Sequence, residues 1–181
     1  GNGAEWTKPD YTLDLPAGLS ESDPDLSRKD LPLNLSTIVD DLDRIRGELR
    51  GIDADVAISS FKWLVHDGMV ADPVRDRSLI EHLNVGLFPF RYRDLERMAL
   101  FQNRVLAKYA TERGIAFIDV ARQMPENKNL YTDAVHFTYG GVRLHGWVVL
   151  QSLVPLVEKK LAAGIWPKPA LPPAAAPPGL F

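Results

Sequence analysis

Asp133 and His136 are the two residues whose types and spacing most directly indicate catalysis. A carboxylate that accepts the Nδ1 proton of a histidine fixes the tautomer of the ring. It also stabilises the imidazolium that forms when Nε2 takes a proton from a hydroxyl. Because two such residues also stand three positions apart by chance in many proteins, the elements around them decide what the pair means.

Helix and strand patterns alternate along the chain around this pair. The spacing of apolar residues predicts helices over about 36–51, 92–113 and 140–163, and strands over 54–61 and 115–120. Each strand directly follows a helix, which is typical of parallel strands joined by helices. In open α/β sheets the functional site lies outside the carboxyl ends of the strands, and the loop after the last strand carries the pair. Ser36 or Thr37 is predicted to cap the first helix, and Pro155 to kink the last one.

In this setting the segment Asp133-Ala-Val-His136-Phe-Thr-Tyr-Gly140 resembles the C-terminal block of the SGNH (GDSL-like) hydrolases. Members of that family carry D-x-x-H just before the terminal helix, usually followed shortly by a glycine. The resemblance covers about residues 36–163 and implies a three-layer α/β/α flavodoxin-like sandwich with a parallel sheet. It implies that His136 is the general base and Asp133 its orienting partner in a Ser-His-Asp site. The activity implied is hydrolysis of an ester or O-acyl group, or the related acyl transfer, with no cofactor.

The chain departs from the family pattern in the motifs that come before this block. Gly-Asp-Ser, which holds the family's nucleophile, does not occur in the sequence, and the glycine of the second block is not identifiable. Gly1-Asn2-Gly3 resembles a shifted Gly-x-Asn-Asp block, whose asparagine donates to the oxyanion, so Asn2 is the candidate for that role. The two predicted strands fall short of the family's five. We therefore expect an incomplete sheet, in the C-terminal part of a larger hydrolase whose N-terminal strands are missing or in a chain that a second chain completes.

Composition divides the chain into three segments. Residues 1–35 are polar, contain several prolines and are predicted to be irregular, and residues 36–163 form the α/β portion. Residues 164–181 are a Pro/Ala-rich tail that is predicted to be flexible, either as a plain tether or as a ligand of the SH3 type.

The long connection over 62–91 and the end of the first strand offer further candidates. Trp63 and Phe90 are candidate residues of a substrate pocket for an acyl group, and packing onto the core is the alternative for both. Ser59 and Ser60 end a strand, which is a possible position for a nucleophile. Neither lies in a Gly-x-Ser-x-Gly elbow, and serines at strand ends usually bond to backbone groups instead.

Metal binding is the other chemistry to weigh. Asp133, His136 and His145 could supply three ligands, but His145 falls inside the last helix and need not face the other two. His66 and His82 have no partner at ligand spacing. With no cysteine in the chain, thiolate sites, disulfides and cysteine nucleophiles are excluded, and we predict no metal site.

The overall composition is that of an ordinary soluble globular protein. The formal net charge is -3 with acids and bases mixed, which gives no reason to expect nucleic acid or an anionic membrane as partner. No apolar run approaches the ~20 residues of a membrane span. The resemblance to the SGNH hydrolases implies a small-molecule ester or an acylated glycan as the partner. The sequence leaves open whether the protein is cytoplasmic, periplasmic or secreted. Two alternatives stay open: a binding domain that lacks the nucleophile, and an unrelated α/β protein in which Asp133 or Thr138 merely caps the last helix.

Overall fold

The structure is a computed structural model that describes residues 3–166. Its helices and strands are α1 (Leu35–Gly51), β1 (Ala57–Ser59), α2 (Arg77–Glu81), α3 (Tyr92–Arg113), β2 (Ala116–Ile118), α4 (Val120–Gln123) and α5 (Tyr139–Ala162). A π-helical turn (His82–Gly86) follows α2, and a 3-10 turn (Lys128–Leu130) precedes the loop that carries Asp133 and His136. The predicted mixture of helices with a parallel sheet is therefore confirmed.

The sheet consists of β1 and β2, which pair in parallel with Ala57 opposite Ala116. Parallel neighbours need a long crossover, and α3 provides it while packing against both strands. Both strands are shorter than the predicted ranges, at three residues each. The second strand ends early because Asp119 accepts the backbone N–H of Arg122 and so starts α4.

The helix boundaries lie within a residue or so of the predicted ones, but one predicted cap is wrong. Helix α3 ends at Gly114, whose φ of 63° is the left-handed conformation that glycine adopts without strain. Before α1, Asn34 is the capping residue and forms no side-chain cap. Ser36 and Thr37 cannot cap because both already lie inside α1, and the hydroxyl of Ser36 donates to the carbonyl of Lys29. Pro155 lies inside α5, which is continuous from Tyr139 to Ala162.

Helix α3 is the centre of the core. Its Tyr92, Phe101 and Tyr109 are almost fully buried. Residues 3–34 contain turns and bends only and run along this helix. The hydroxyl of Tyr11 accepts the backbone N–H of Arg91, the residue before α3, over 2.7 Å, and ion pairs join Glu21 and Asp23 to side chains of α3. The leading segment is thus anchored on the element that connects the two strands.

Among the residues that the structure describes, helix α5 is covered on one side only. Val148 is buried against the short α4 region, whereas the opposite side exposes a stripe of apolar side chains. We call this stripe the outer face of α5; it consists of Val142, Trp147, Leu150, Val154 and Leu161. Among residues 3–166, each strand also has a neighbour on one side only. None of the helices in this part of the chain is both long and apolar enough to cross a membrane.

Candidate functional site

Asp133 and His136 lie in a closed loop of residues 131–137, which we call the dyad loop. Tyr131 and Phe137 form an antiparallel bridge at its base, and their rings pack with centroids 4.9 Å apart. Inside that bridge, the N–H of Thr132 donates to the carbonyl of His136 over 2.8 Å. These contacts hold the two ends of the loop together.

Buried Ala134 ties the dyad loop to the sheet. Its side chain is inaccessible to solvent, and its carbonyl accepts the N–H of Leu64 over 2.9 Å. Leu64 belongs to the stretch of chain that leaves the carboxyl end of β1. The loop thus lies on the side of the sheet where α/β proteins place their sites.

The two predicted residues are hydrogen-bonded to each other. Nδ1 of His136 lies 2.7 Å from Oδ2 of Asp133, while Oδ1 of Asp133 accepts the backbone N–H groups of Val135 and His136 at 2.9 Å each. Since a carboxylate can only accept, His136 donates from Nδ1, and in the neutral ring the lone pair is on Nε2. The side chain of Asp133 is 24% exposed and that of His136 is 74% exposed. The basic nitrogen therefore belongs to an accessible ring held by a largely covered carboxylate.

The electrostatics of the loop keep Asp133 ionised. Burial, the largest single influence, raises the pKa of this carboxyl group. The backbone N–H groups of Val135 and His136 and the imidazole of His136 act against burial and lower the pKa to about 2. At neutral pH the carboxylate is consequently a permanent acceptor for the His136 ring.

Helix α5 begins directly after the dyad loop, and Thr138 is its cap. The Thr138 hydroxyl oxygen accepts the N–H of Gly141 over 3.2 Å. Asp133 was the other candidate cap, but its carboxylate bonds to backbone N–H groups within its own loop. Of these two residues, only Thr138 caps the helix. Gly141 sits so close to the 3-10 turn that an added Cβ would lie 2.1 Å from the carbonyl oxygen of Leu130. This contact locks the start of α5 onto the base of the loop.

A groove of about 300 Å³ lies beside the dyad loop. Its lining residues are Phe61, Trp63, His82, Leu87, Gln102 and Val135. Val135 belongs to the dyad loop, and Trp63 is one of the two predicted pocket residues. Phe90, the other one, is partly buried against the core, edge to face with Tyr11. Leu87, an apolar residue of the same connection over 62–91, lines the groove as well.

His82 is the neighbour of the dyad that sequence reasoning missed. Its Nδ1 lies 3.3 Å from Oδ1 of Asp133, and the N–H of Ala134 donates to the same nitrogen over 3.2 Å. The two residues in that hydrogen bond are 52 positions apart. No local spacing could therefore have indicated the contact.

The other candidate residues have different roles. Ser60 is buried, donates to Asp119 over 3.1 Å and accepts the N–H of Ala121 over 2.8 Å. His145 packs its ring against that of Phe137, with centroids 5.3 Å apart. In the part of the chain that the structure describes, no cluster of histidine, aspartate and glutamate is placed to hold a metal ion.

Two further points bear on identity. Asn2 and residues 167–181 of the proline-rich tail lie outside the described residues. Comparison of the chain with protein-family models, curated proteins and solved structures finds no match.

Proposed function

We propose that Asp133 and His136 are the acid–base half of an acyl hydrolase or acyl-transfer site of the SGNH type. The observation that carries the proposal is the 2.7 Å hydrogen bond between Asp133 Oδ2 and Nδ1 of an accessible imidazole. In this arrangement Nε2 takes the proton of a hydroxyl as its oxygen attacks the acyl carbon. The imidazolium then returns that proton to the departing alkoxide, and a water molecule releases the acyl group by the same route.

The attacking hydroxyl, in this proposal, is a serine outside residues 3–166. The buried hydroxyl of Ser60 is engaged by Asp119 and Ala121, which argues against its use as the nucleophile. Further parallel strands would extend the sheet to the three-layer flavodoxin-like sandwich and bring this serine to Nε2 of His136. The parallel β1–α3–β2 unit and the exposed outer face of α5 support such an extension, by another part of the same domain or by a second chain.

The groove supports a small ester or an acylated glycan as the substrate. Its apolar lining by Phe61, Trp63, Leu87 and Val135 suits the hydrocarbon part of an acyl group, and its volume is at the lower end for ligand pockets. Because Val135 stands between Asp133 and His136 in the chain, an acyl chain in the groove would keep its carbonyl near the dyad.

A binding domain without catalysis is the second candidate. It is favoured by the same engagement of Ser60, because the groove would still accept an acylated ligand if no other hydroxyl reached His136.

Hydrolysis of p-nitrophenyl acetate by the complete natural protein, with all residues that adjoin these 181, separates the two candidates. His136→Ala should lower kcat/KM by about 10³-fold or more, because the residues of such a site act as a unit. His66→Ala is the matched control: the ring of His66 contacts the carbonyl of Asp67 instead of the dyad, so activity should be unchanged. The 181-residue chain alone should be inactive or nearly so. Undiminished turnover by His136→Ala would refute the catalytic proposal.

A further inference from the structure

His82 approaches the carboxylate of the dyad from a distant part of the chain. Its Nδ1 is 3.3 Å from Oδ1 of Asp133, and the N–H of Ala134 points to the same nitrogen over 3.2 Å. Oδ2 of Asp133, by contrast, is bonded to His136. Two imidazoles therefore flank one carboxylate, each beside a different oxygen.

A packed framework holds the His82 ring in this place. His82 opens the π-helical turn His82–Gly86, and a side chain added at Gly86 would come within 3.0 Å of its Cδ2 atom. Asn84, buried in the same turn, donates from its amide to the carbonyl of Ile80 and to the hydroxyl of Tyr92. π-helical turns are rare and frequently occur at functional sites. The turn thus fixes the imidazole against the dyad loop, with 26% of its side chain exposed.

The hydrogen bond from Ala134 determines the tautomer of His82. A backbone N–H can only donate, so Nδ1 of His82 is the acceptor and its ring proton is on Nε2. Ala134 is fully buried and stands between Asp133 and the two residues whose N–H groups Asp133 accepts. A shift of Ala134 would therefore turn the carboxylate away from His136.

We propose that His82 is a positioning residue of the dyad. By accepting the N–H of Ala134, it holds the dyad loop so that Asp133 keeps His136 in the tautomer with the proton on Nδ1. The inference rests on the proposed function only in treating Asp133 and His136 as an acid–base pair. Without His82 the loop loosens, and His136 shifts toward the tautomer with the proton on Nε2, which cannot act as a base there.

The test is to record which ring nitrogen of each histidine carries the proton, by long-range ¹H–¹⁵N NMR correlations of the neutral rings in the 181-residue chain. In the unmodified chain we expect the proton on Nδ1 of His136 and on Nε2 of His82. His82→Phe fills the space but accepts no hydrogen bond, so His136 should shift toward the Nε2-protonated form. His82→Asn, whose side-chain oxygen can accept the N–H of Ala134, should retain the original tautomer.

The proposal is overturned if the unmodified chain has the proton on Nδ1 of His82. It is equally overturned if folded His82→Phe keeps the original tautomer of His136, or if folded His82→Asn loses it. The spectrum of the unmodified chain and that of His82→Asn remain decisive if His82→Phe does not fold. Because these spectra do not depend on turnover, failure of the positioning role and failure of ester hydrolysis are recognised separately.

Discussion

Gly141→Ala probes the contact that fixes the start of α5 to the base of the dyad loop. The added Cβ would lie 2.1 Å from the carbonyl oxygen of Leu130, and a backbone atom cannot rotate away as a side chain can. Helix and loop must separate by about 1 Å, a distortion of the kind that costs about 1–3 kcal/mol. The bond from the N–H of Thr138 to the Leu130 carbonyl would weaken as well, at about 1 kcal/mol. Alanine gains up to about 1 kcal/mol over glycine within a helix, so the net loss of stability is about 2 kcal/mol.

Gly140→Ala is the matched control, one residue earlier in the same helix. Its added Cβ would meet only the Thr138 hydroxyl oxygen, at 3.8 Å, which is ordinary contact. We expect this variant to be as stable as the unmodified chain or up to about 1 kcal/mol more stable. Urea unfolding of both variants, with comparison of midpoints at equal m-values, measures the difference. Equal stability of the two variants would refute the close approach between α5 and the loop.

Two further predictions concern the dyad loop and the cap of α5. Because the pKa of Asp133 is lowered to about 2, its contribution to folding is complete above the ordinary carboxyl value of 3.8 and is lost as the pH falls toward 2. The contribution is about 2 kcal/mol. Asp133→Asn should therefore flatten the acid limb of the stability curve in urea unfolding, and an unchanged limb would contradict this. Thr138→Ala removes the cap of α5 and should cost about 1 kcal/mol in the same assay, whereas Thr111→Ala, which removes a hydroxyl inside α3, should cost less.

What could be predicted from the sequence depended on how local the determining interactions are. The extent of α3 was predictable because its apolar period is long and Gly114 ends it with a left-handed conformation. The hydrogen bond between Asp133 and His136 was predictable because the two residues stand three positions apart in one loop. Strand length was not, since it depends on how far the partner strand runs alongside.

The neighbours of the dyad could not be predicted, because their contacts join residues that are distant in the sequence. His82 reaches Ala134 from 52 residues away. The choice between Leu87 and Phe90 as a groove residue follows from the π-helical turn, in which the N–H of Leu87 bonds to the carbonyl of His82. No apolar period marks such a turn, so both side chains looked alike in the sequence.

Labelling of the complete natural protein, together with any second chain of its natural assembly, with a fluorophosphonate, followed by mapping of the modified residue, tests the central claim most directly. We predict that the unmodified protein is labelled on a serine outside residues 3–166, because Ser60 is buried and hydrogen-bonded. His136→Ala should abolish that labelling, since the serine then lacks its base. An unlabelled natural protein, a label on Ser59 or Ser60, or full labelling of His136→Ala would contradict the assignment of Asp133 and His136 as the acid–base half of a serine acyl-hydrolase site.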